Sequence, residues 1–298
     1  MPQIVNKKSV LEMAMGAIAE ITDYEVERVV ANIMDPNTAA TAKRKITITL
    51  TFAPDDYRQQ IGMDAQAKTT LAPLSPVRTS LCITKARDGS LLLAGQGEHG
   101  SLYRMGTSDV PVTLDGKEAS AADLKDGMLV TVYFVGGIQE SYPGGFYQVT
   151  RLEAVSEGAD DRVGLALQAL EDLWSEDTAL NENIEQLSVY IDEALVPNAA
   201  ERAAAGWRFA ELHQLPPPMT YSWQELCDEG YVNEEELSWE KGCYLELKAE
   251  KGSGQGKTLR FDAQKWRGGL AAIFYEGCTA KQDKSGGWTY ERGTFAIA

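Results

Sequence analysis

The chain has only two histidines, His99 and His213, far apart in sequence. Histidine is the side chain whose ordinary pKa suits proton transfer near neutrality, so there is little material for His-based catalysis or nucleophilic triads. The four cysteines, Cys82, Cys227, Cys243 and Cys278, contain no CxxC pair. Spacing therefore gives zinc ligation no support, and single thiols in a reducing compartment are expected as small buried apolar residues. Long apolar runs are missing as well. Nothing approaches the ~20 residues of a membrane-spanning helix, and Glu12 and Glu20 interrupt the apolar stretch behind Lys7 and Lys8, so no secretory core forms. These absences predict a cytoplasmic protein. Basic residues are scarcest between positions 157 and 240, where three stand against twenty acidic ones.

That block carries −17 of a net charge of −16 over 298 residues. A concentrated negative field repels nucleic acid and steers basic surfaces toward it. Length and a 44% hydrophobic content predict two or three globular domains.

Near the N-terminus, Ser9–Glu12 and Thr22–Glu25 each have the spacing of a capping box. Behind the second, Val26, Val29, Val30, Ile33 and Met34 share one helical face. Asp35-Pro36 stops the helix. "KITITLTF" (45–52) alternates strictly and is the clearest strand; 64–72, 79–86 and 90–95 are further candidates. Between 108 and 156, "VPVTL", "MLVTVYFV" and "GFYQVTRLEAV" read as strands separated by Gly-containing turns. Tyr133, Phe134, Phe146 and Tyr147 are candidates for an aromatic nucleic-acid face, but their alternation with Val favours core packing. "SEGADD" (156–161) reads as a linker. All six tryptophans lie beyond it, among a helix at 163–174, a strand at 186–196, an Ala-rich helix at 199–215 and a capped helix at Ser222.

The expected fold class is therefore α+β. A helix with an antiparallel sheet occupies 1–95, a small β-barrel-like module 108–156, and an acidic Trp-containing α+β domain 160–298.

Two phosphate-loop patterns fail on context. In "KGSGQGKT" (251–258), Gly252 stands one place late for a P-loop. Leu245, Leu247 and Ala249 before it, and Leu259, Phe261 and Ala263 after it, alternate as strands, so a hairpin is expected. Gly95-x-Gly97-x-x-Gly100 has no helix behind it, which a dinucleotide fold needs. No cofactor is expected. Glu171-Asp172, Glu176-Asp177 and Asp192-Glu193 lack calcium-loop spacing, so no metal is expected either. Cys227 would be a nucleophile only with His213 beside it in space.

Residues 10–85, above all "NIMDPNT" with "KITITLTF", resemble a family of phages and integrated elements of gut Firmicutes labelled replication terminator protein. The resemblance implies a setting near replication genes and no catalytic residues. "LKDGMLVTV" with "ESYPGGFYQV" is similar to small β modules of uncharacterised Firmicutes proteins. "GCYLELKAE", "FDAQKWRGGL" and "GWTYERGTFAIA" are similar to a C-terminal domain of such proteins, often exported ones.

Missing catalytic chemistry and concentrated acidity together predict a non-enzymatic phage or mobile-element protein. Its expected partner is a basic, nucleic-acid-handling protein, held by Glu171, Asp172, Glu176, Asp177, Glu225, Asp228, Glu229, Glu234, Glu235 and Glu236. The alternative is a replication accessory that touches DNA through Lys43, Arg44, Lys45 and Lys68, with Arg78, Lys85 and Arg87.

Overall fold

The computed structural model describes residues 16–34, 38, 41–72, 80–95, 101–253 and 256–297. The chain divides into two compact units, Met1–Pro76 and Val77–Ala298. The α+β class holds.

The first unit contains helix α1 (Ala17–Met34) and an antiparallel ribbon of β1 (Lys45–Pro54) and β2 (Ile61–Thr70). Register sets Ile46, Ile48, Leu50 and Phe52 opposite Thr69, Ala67, Ala65 and Met63, so period-2 alternation makes one face apolar. Polar anchors fix the helix on β2. Thr69 Oγ1 donates to the Glu25 carboxylate, and Asn32 exchanges hydrogen bonds of 3.0 and 3.1 Å with the backbone of Ala72. These anchors turn Ile18 and Glu25 inward and leave Val26, Val30, Ile33 and Met34 exposed. The apolar stripe read from the sequence is thus not the buried face. Thr22 caps nothing either; its hydroxyl donates to the Ile18 carbonyl within α1 at 2.6 Å. The box at Ser9 lies outside the described residues.

The second unit opens with β3 (Ser80–Lys85), β4 (Leu91–Gly95) and β5 (Leu102–Met105). The sequence places the first two in the N-terminal sheet and predicts no strand at β5. Instead β3 pairs with β8 (Leu129–Gln139), which pairs with β9 (Gly144–Val155), and β9 returns to β5 in parallel through Tyr103↔Gly144. The ring closes with five strands in the order first, second, third, fifth, fourth. This is the Greek-key order of oligonucleotide- and oligosaccharide-binding barrels. A hairpin of β6 (Val112–Leu114) and β7 (Lys117–Ala119) hangs on β9. Leu81, Ile83, Leu91, Leu93, Val130, Val132 and Phe134 fill the interior. Phe146 packs against them, while Tyr147 is exposed. Of the four candidate aromatics, Phe134 is in the barrel core and Phe146 packs on it, while Tyr133 is buried outside that cluster beneath Arg151 (3.8 Å), its hydroxyl donating to Glu153 at 2.7 Å.

The remainder is a six-stranded sheet: β10 (Gln186–Ile191), β11 (Gly242–Ala249), β12 (Thr258–Gly268), β13 (Ala271–Gln282), β14 (Trp288–Glu291) and β15 (Thr294–Ile297). Helices α2 (Arg162–Ser175) and α3 (Ala199–His213) pack on one face, where Cys243, Leu245, Leu247, Leu259, Phe261 and Ala263 form a single core with Leu170, Leu173 and Phe209. The other face packs Tyr244 and Trp266 beneath α4 (Trp223–Asp228), through Leu226, Val232 and Trp239. The hairpin expected around "KGSGQGKT" is the β11–β12 connection; Gly254 and Gln255 lie outside the described residues. Gly95 ends β4 and β5 follows, with 96–100 outside the described residues.

Residues 156–161 do not behave as a linker. Asp160 N donates to Gly127 O (3.1 Å) in the barrel and Asp161 N to Gly286 O (3.0 Å) in the sheet. A Cβ on Gly127 would lie 2.5 Å from Asp161 N, and one on Gly286 would overlap the Ala159 carbonyl; both glycines have positive φ. Gly116 has φ +76° but open space around it. Gly127→Ala and Gly286→Ala should each destabilise by about 3 kcal/mol, against about 1 kcal/mol for Gly116→Ala, because strain and overlap add at the first two. Chemical denaturation monitored by tryptophan fluorescence measures the difference; equal losses at all three positions would show that 158–161 holds nothing.

Candidate functional surfaces

Helix α3 covers the barrel face formed by β4 and β5. Along β4, Leu91 and Leu93 point into the barrel, while Leu92 joins the α2–α3 core and Ala94 packs with Cys82 and Ala200. Burial on both sides explains why this short strand is apolar throughout. Polar contacts tie down the rim: Asn198 Nδ2 donates to Gly95 O (2.9 Å), Arg208 pairs with Asp126 (2.7 Å) and Arg104 pairs with Glu211. Barrels of this topology bind oligonucleotides on the corresponding face. Here the chain's own helix occupies it.

The ten acidic candidates fall on two sides of the central sheet. Glu171, Asp172, Glu176 and Asp177 end α2 on the face that carries Tyr275. Glu171 bonds His213 Nε2 at 2.8 Å, and Glu176 accepts from Tyr275 Oη at 2.8 Å and pairs with Arg292 at 3.2 Å. The remaining six lie across the sheet, on the segment anchored by Leu226 and Trp239. Glu225 closes a capping box with Ser222, whose backbone N–H and hydroxyl hold the carboxyl below its ordinary pKa. Asp228, Glu229, Glu234, Glu235 and Glu236 are exposed. One contiguous acidic face across all ten positions is not formed. Strand alternation sends α2 and α4 to opposite sides of one sheet, which a charge count along the chain does not register.

The basic candidates disperse likewise. Arg44 is a structural residue, donating to Asn32 Oδ1 (2.9 Å), Asn32 O (3.0 Å), Ala42 O (2.7 Å) and Thr38 Oγ1 (2.6 Å). Lys43, Lys45 and Lys68 are exposed. Lys45 and Lys68 share the polar face of the ribbon with Thr47, Thr49 and Gln66. Lys85 and Arg87 belong to the second unit, where Lys85 Nζ donates to Ala122 O (3.2 Å) and Arg87 to Leu212 O (3.5 Å). Arg78 lies outside the described residues.

The nucleophile pairing is not formed. Cys227 packs with the α4 face, whereas His213 sits at the opposite face, 5.0 Å from the Trp174 ring and 4.7 Å from that of Phe209. All four thiols are free. Burial raises those of Cys82, Cys227 and Cys278 and pushes that of Cys243 up to about 12, which disfavours the reactive thiolate at neutral pH. Among the described residues, no group of three or more His, Cys, Asp or Glu side chains is placed to hold a metal ion, and no helix is long and apolar enough to cross a membrane. No protein-family model, curated protein or solved structure matches the chain.

Lys265 went unremarked in the sequence, although the alternation Leu259, Phe261, Ala263 places position 265 on the apolar face. It is fully buried. Its Nζ donates to Glu176 O, Asp177 O (3.3 Å) and Asn181 Oδ1 (3.0 Å), and lies 5.6 Å from the Trp174 ring. All three ammonium protons are thereby engaged, two of them on carbonyls just past the C-terminus of α2, where a cation is favoured. Burial still lowers its pKa. Lys265→Met should destabilise by about 3 kcal/mol, since it orphans several buried acceptors. Lys257→Ala, on the exposed β11–β12 hairpin, should stay within about 0.5 kcal/mol and leave melting unaffected by ATP and Mg²⁺. Paired thermal melts test both.

Proposed function

We propose that the chain is a non-enzymatic binding protein whose acidic segment 222–240 engages a basic protein partner. The observation that carries this reading is the run of exposed carboxylates in and after α4: Asp228, Glu229, Glu234, Glu235, Glu236 and Glu240. Its adjoining cation, Lys241, is paired with Glu185 at 2.7 Å. Trp239 and Val232 pin the segment to the sheet, so the carboxylates sit on a fixed base. Screening at physiological salt acts over ~8 Å, so carboxylates within that range of one another act as a unit. A fixed array of carboxylates imitates the phosphates of nucleic acid. The class of partner it fits is a nuclease or replication protein with a basic groove. The raised thiol pKa values and the engaged His213 support a role without covalent chemistry.

A second reading is favoured by one observation. Lys45 and Lys68 project from one face of a two-stranded ribbon, a shape that the DNA major groove admits. In that reading the first unit contacts DNA directly.

Reversing Asp228, Glu229, Glu234 and Glu236 to Lys should abolish retention of the protein on immobilised oligolysine at moderate salt, with little change in melting temperature. Reversing Glu171, Asp172, Glu176 and Asp177 should have a smaller effect. Retention that ignores salt and the first set of reversals would refute the acidic-segment reading. A mobility shift of duplex DNA, lost with Lys45→Ala and Lys68→Ala, would instead establish the second.

A further inference from the structure

Strand β10 is an edge of the six-stranded sheet, and only part of that edge is covered. Met219 pairs beside it in parallel: Met219 N donates to Leu187 O and Val189 N to Met219 O, both at 2.9 Å. Even-numbered residues of β10 bond the other way, to β11, as Asp192 N does to Leu247 O just beyond the strand (2.9 Å). The Val189 carbonyl and the Ile191 N–H therefore face outward. Tyr221, next in line to receive them, has turned away; its carbonyl accepts from Ser188 Oγ at 2.8 Å, and Ser222 starts α4. Among the described residues neither main-chain group is paired, yet Val189 is 1% and Ile191 2% exposed. Buried main-chain donors and acceptors are nearly always satisfied.

Val189, Tyr190 and Ile191 line the floor of a cleft of about 440 Å³, within the range of ligand sites. Its walls come from four places: Ser101 and Leu102 of the barrel, Tyr142 of the β8–β9 loop, the first turns of α3, and Thr220 with Glu225. The α3 wall is built from Ala199, Ala200 and Ala203, whose small side chains leave the space open. Tyr142 is held edge-on to Trp207 at 5.7 Å. Arg202 stands at the rim, its Nη1 held by Val196 O (2.8 Å) and Pro197 O (2.9 Å).

We propose that this cleft binds an extended peptide segment of a partner protein, running parallel to β10. One of its residues donates its N–H to the Val189 carbonyl and accepts from the Ile191 N–H, prolonging the ladder that Met219 begins. A carbonyl and an amide two residues apart on one strand edge are the pair that a single residue of a parallel strand satisfies. A monatomic ion or a purely acidic ligand satisfies only one of them. Neighbouring side chains of the peptide fall between Tyr142 and the alanine wall, with Arg202 and Glu225 available to charges of either sign. The proposal goes beyond the acidic-segment reading, because main-chain pairing in a cleft carries it and surface charge does not.

The test pans a phage-displayed library of random heptapeptides against the full chain. Enriched peptides are expected to protect the Ile191 amide from hydrogen exchange and to bind equally well at low and high salt. Methylating the nitrogen of the docked residue should weaken binding about tenfold or more, the loss of one buried main-chain bond. Ala203→Trp, which fills the cleft, should abolish binding; Ala199→Trp, on the exposed first turn of α3, does the same without touching the core. No enrichment, or enriched peptides that bind both tryptophan variants as well as wild type, overturns the proposal. Because oligolysine retention is read separately and depends on salt, either idea can fail while the other stands.

Discussion

The short passage of backbone at 158–161, held between Gly127 and Gly286, is the constraint on which the second unit depends. Asp160 alone joins the barrel, the sheet and α2 there. Its amide bonds the barrel turn, and its carboxylate accepts from Trp288 Nε1 (2.7 Å), Gln282 Nε2 (3.0 Å) and Arg162 Nε (2.9 Å). Asp161 then caps α2 by accepting from Gly164 N at 2.8 Å, where the N-terminus of a helix favours a negative charge. Burial nonetheless raises the pKa of Asp161, with Asp126 and Asp160 nearby adding to the rise. Two consecutive carboxylates are tolerated in this confined place because main-chain and tryptophan N–H groups meet them. The start of α2 is fixed by this clamp, α2 packs on α3, and α3 closes the barrel face.

The chain that follows the clamp decides what the barrel can do. A free barrel of this topology offers the outer side of its second and third strands to ligands. Leu92, Ala94 and Leu102 stand on that side and are buried under Ala200, Ala204, Ala205 and Phe209. Separating them would return apolar area to water at roughly 25 cal/mol per Å², which favours the covered arrangement. The barrel thus serves as one wall of a larger body, and its β8–β9 loop, through Tyr142, helps to shape the cleft beside β10.

How much of this was legible depends on the range of the interaction concerned. Local alternation located β1, β8, β11 and β12 and identified "KGSGQGKT" as a hairpin, because a half-buried strand writes its pattern into adjacent residues. The partner of a strand is not written there. Residues 80–95 read as the end of the first sheet, and β3–β8 pairing across more than 40 positions draws them into the barrel instead. "SEGADD" has the composition of a linker because two aspartates and a glycine also make a polar clamp. In α1, hydrogen bonds from Glu25 and Asn32 outweighed the apolar stripe at Val26, Val30 and Ile33 in choosing the buried face. Among the site residues, the chain order of the ten acids gave no warning that a sheet stands between the two groups. The legible signal was the parity of Lys265 and Trp266, neighbours on β12 that point to opposite cores.

What remains reactive on such a body is set by what its packing leaves unsatisfied. Three thiols are buried, that of Cys227 is half-buried and all four are raised in pKa, His213 is bonded to Glu171, and Lys265 has three acceptors. Exposed carboxylates at 228–240 and the open half of the β10 edge are different, since each presents groups that the fold itself does not answer. Edge strands invite uncontrolled pairing, and natural proteins protect them with covering segments. Here Met219 covers one half, while α3 and Tyr142 wall the cleft beside the other. Glu225 belongs to both features, lining the cleft while it begins the acidic segment. A partner that places an extended strand beside Ile191 would therefore carry its flanking residues toward Asp228 and Glu229. Basic flanks would add a salt-dependent increment to a salt-independent anchor, and the two contributions would separate cleanly in a titration against ionic strength.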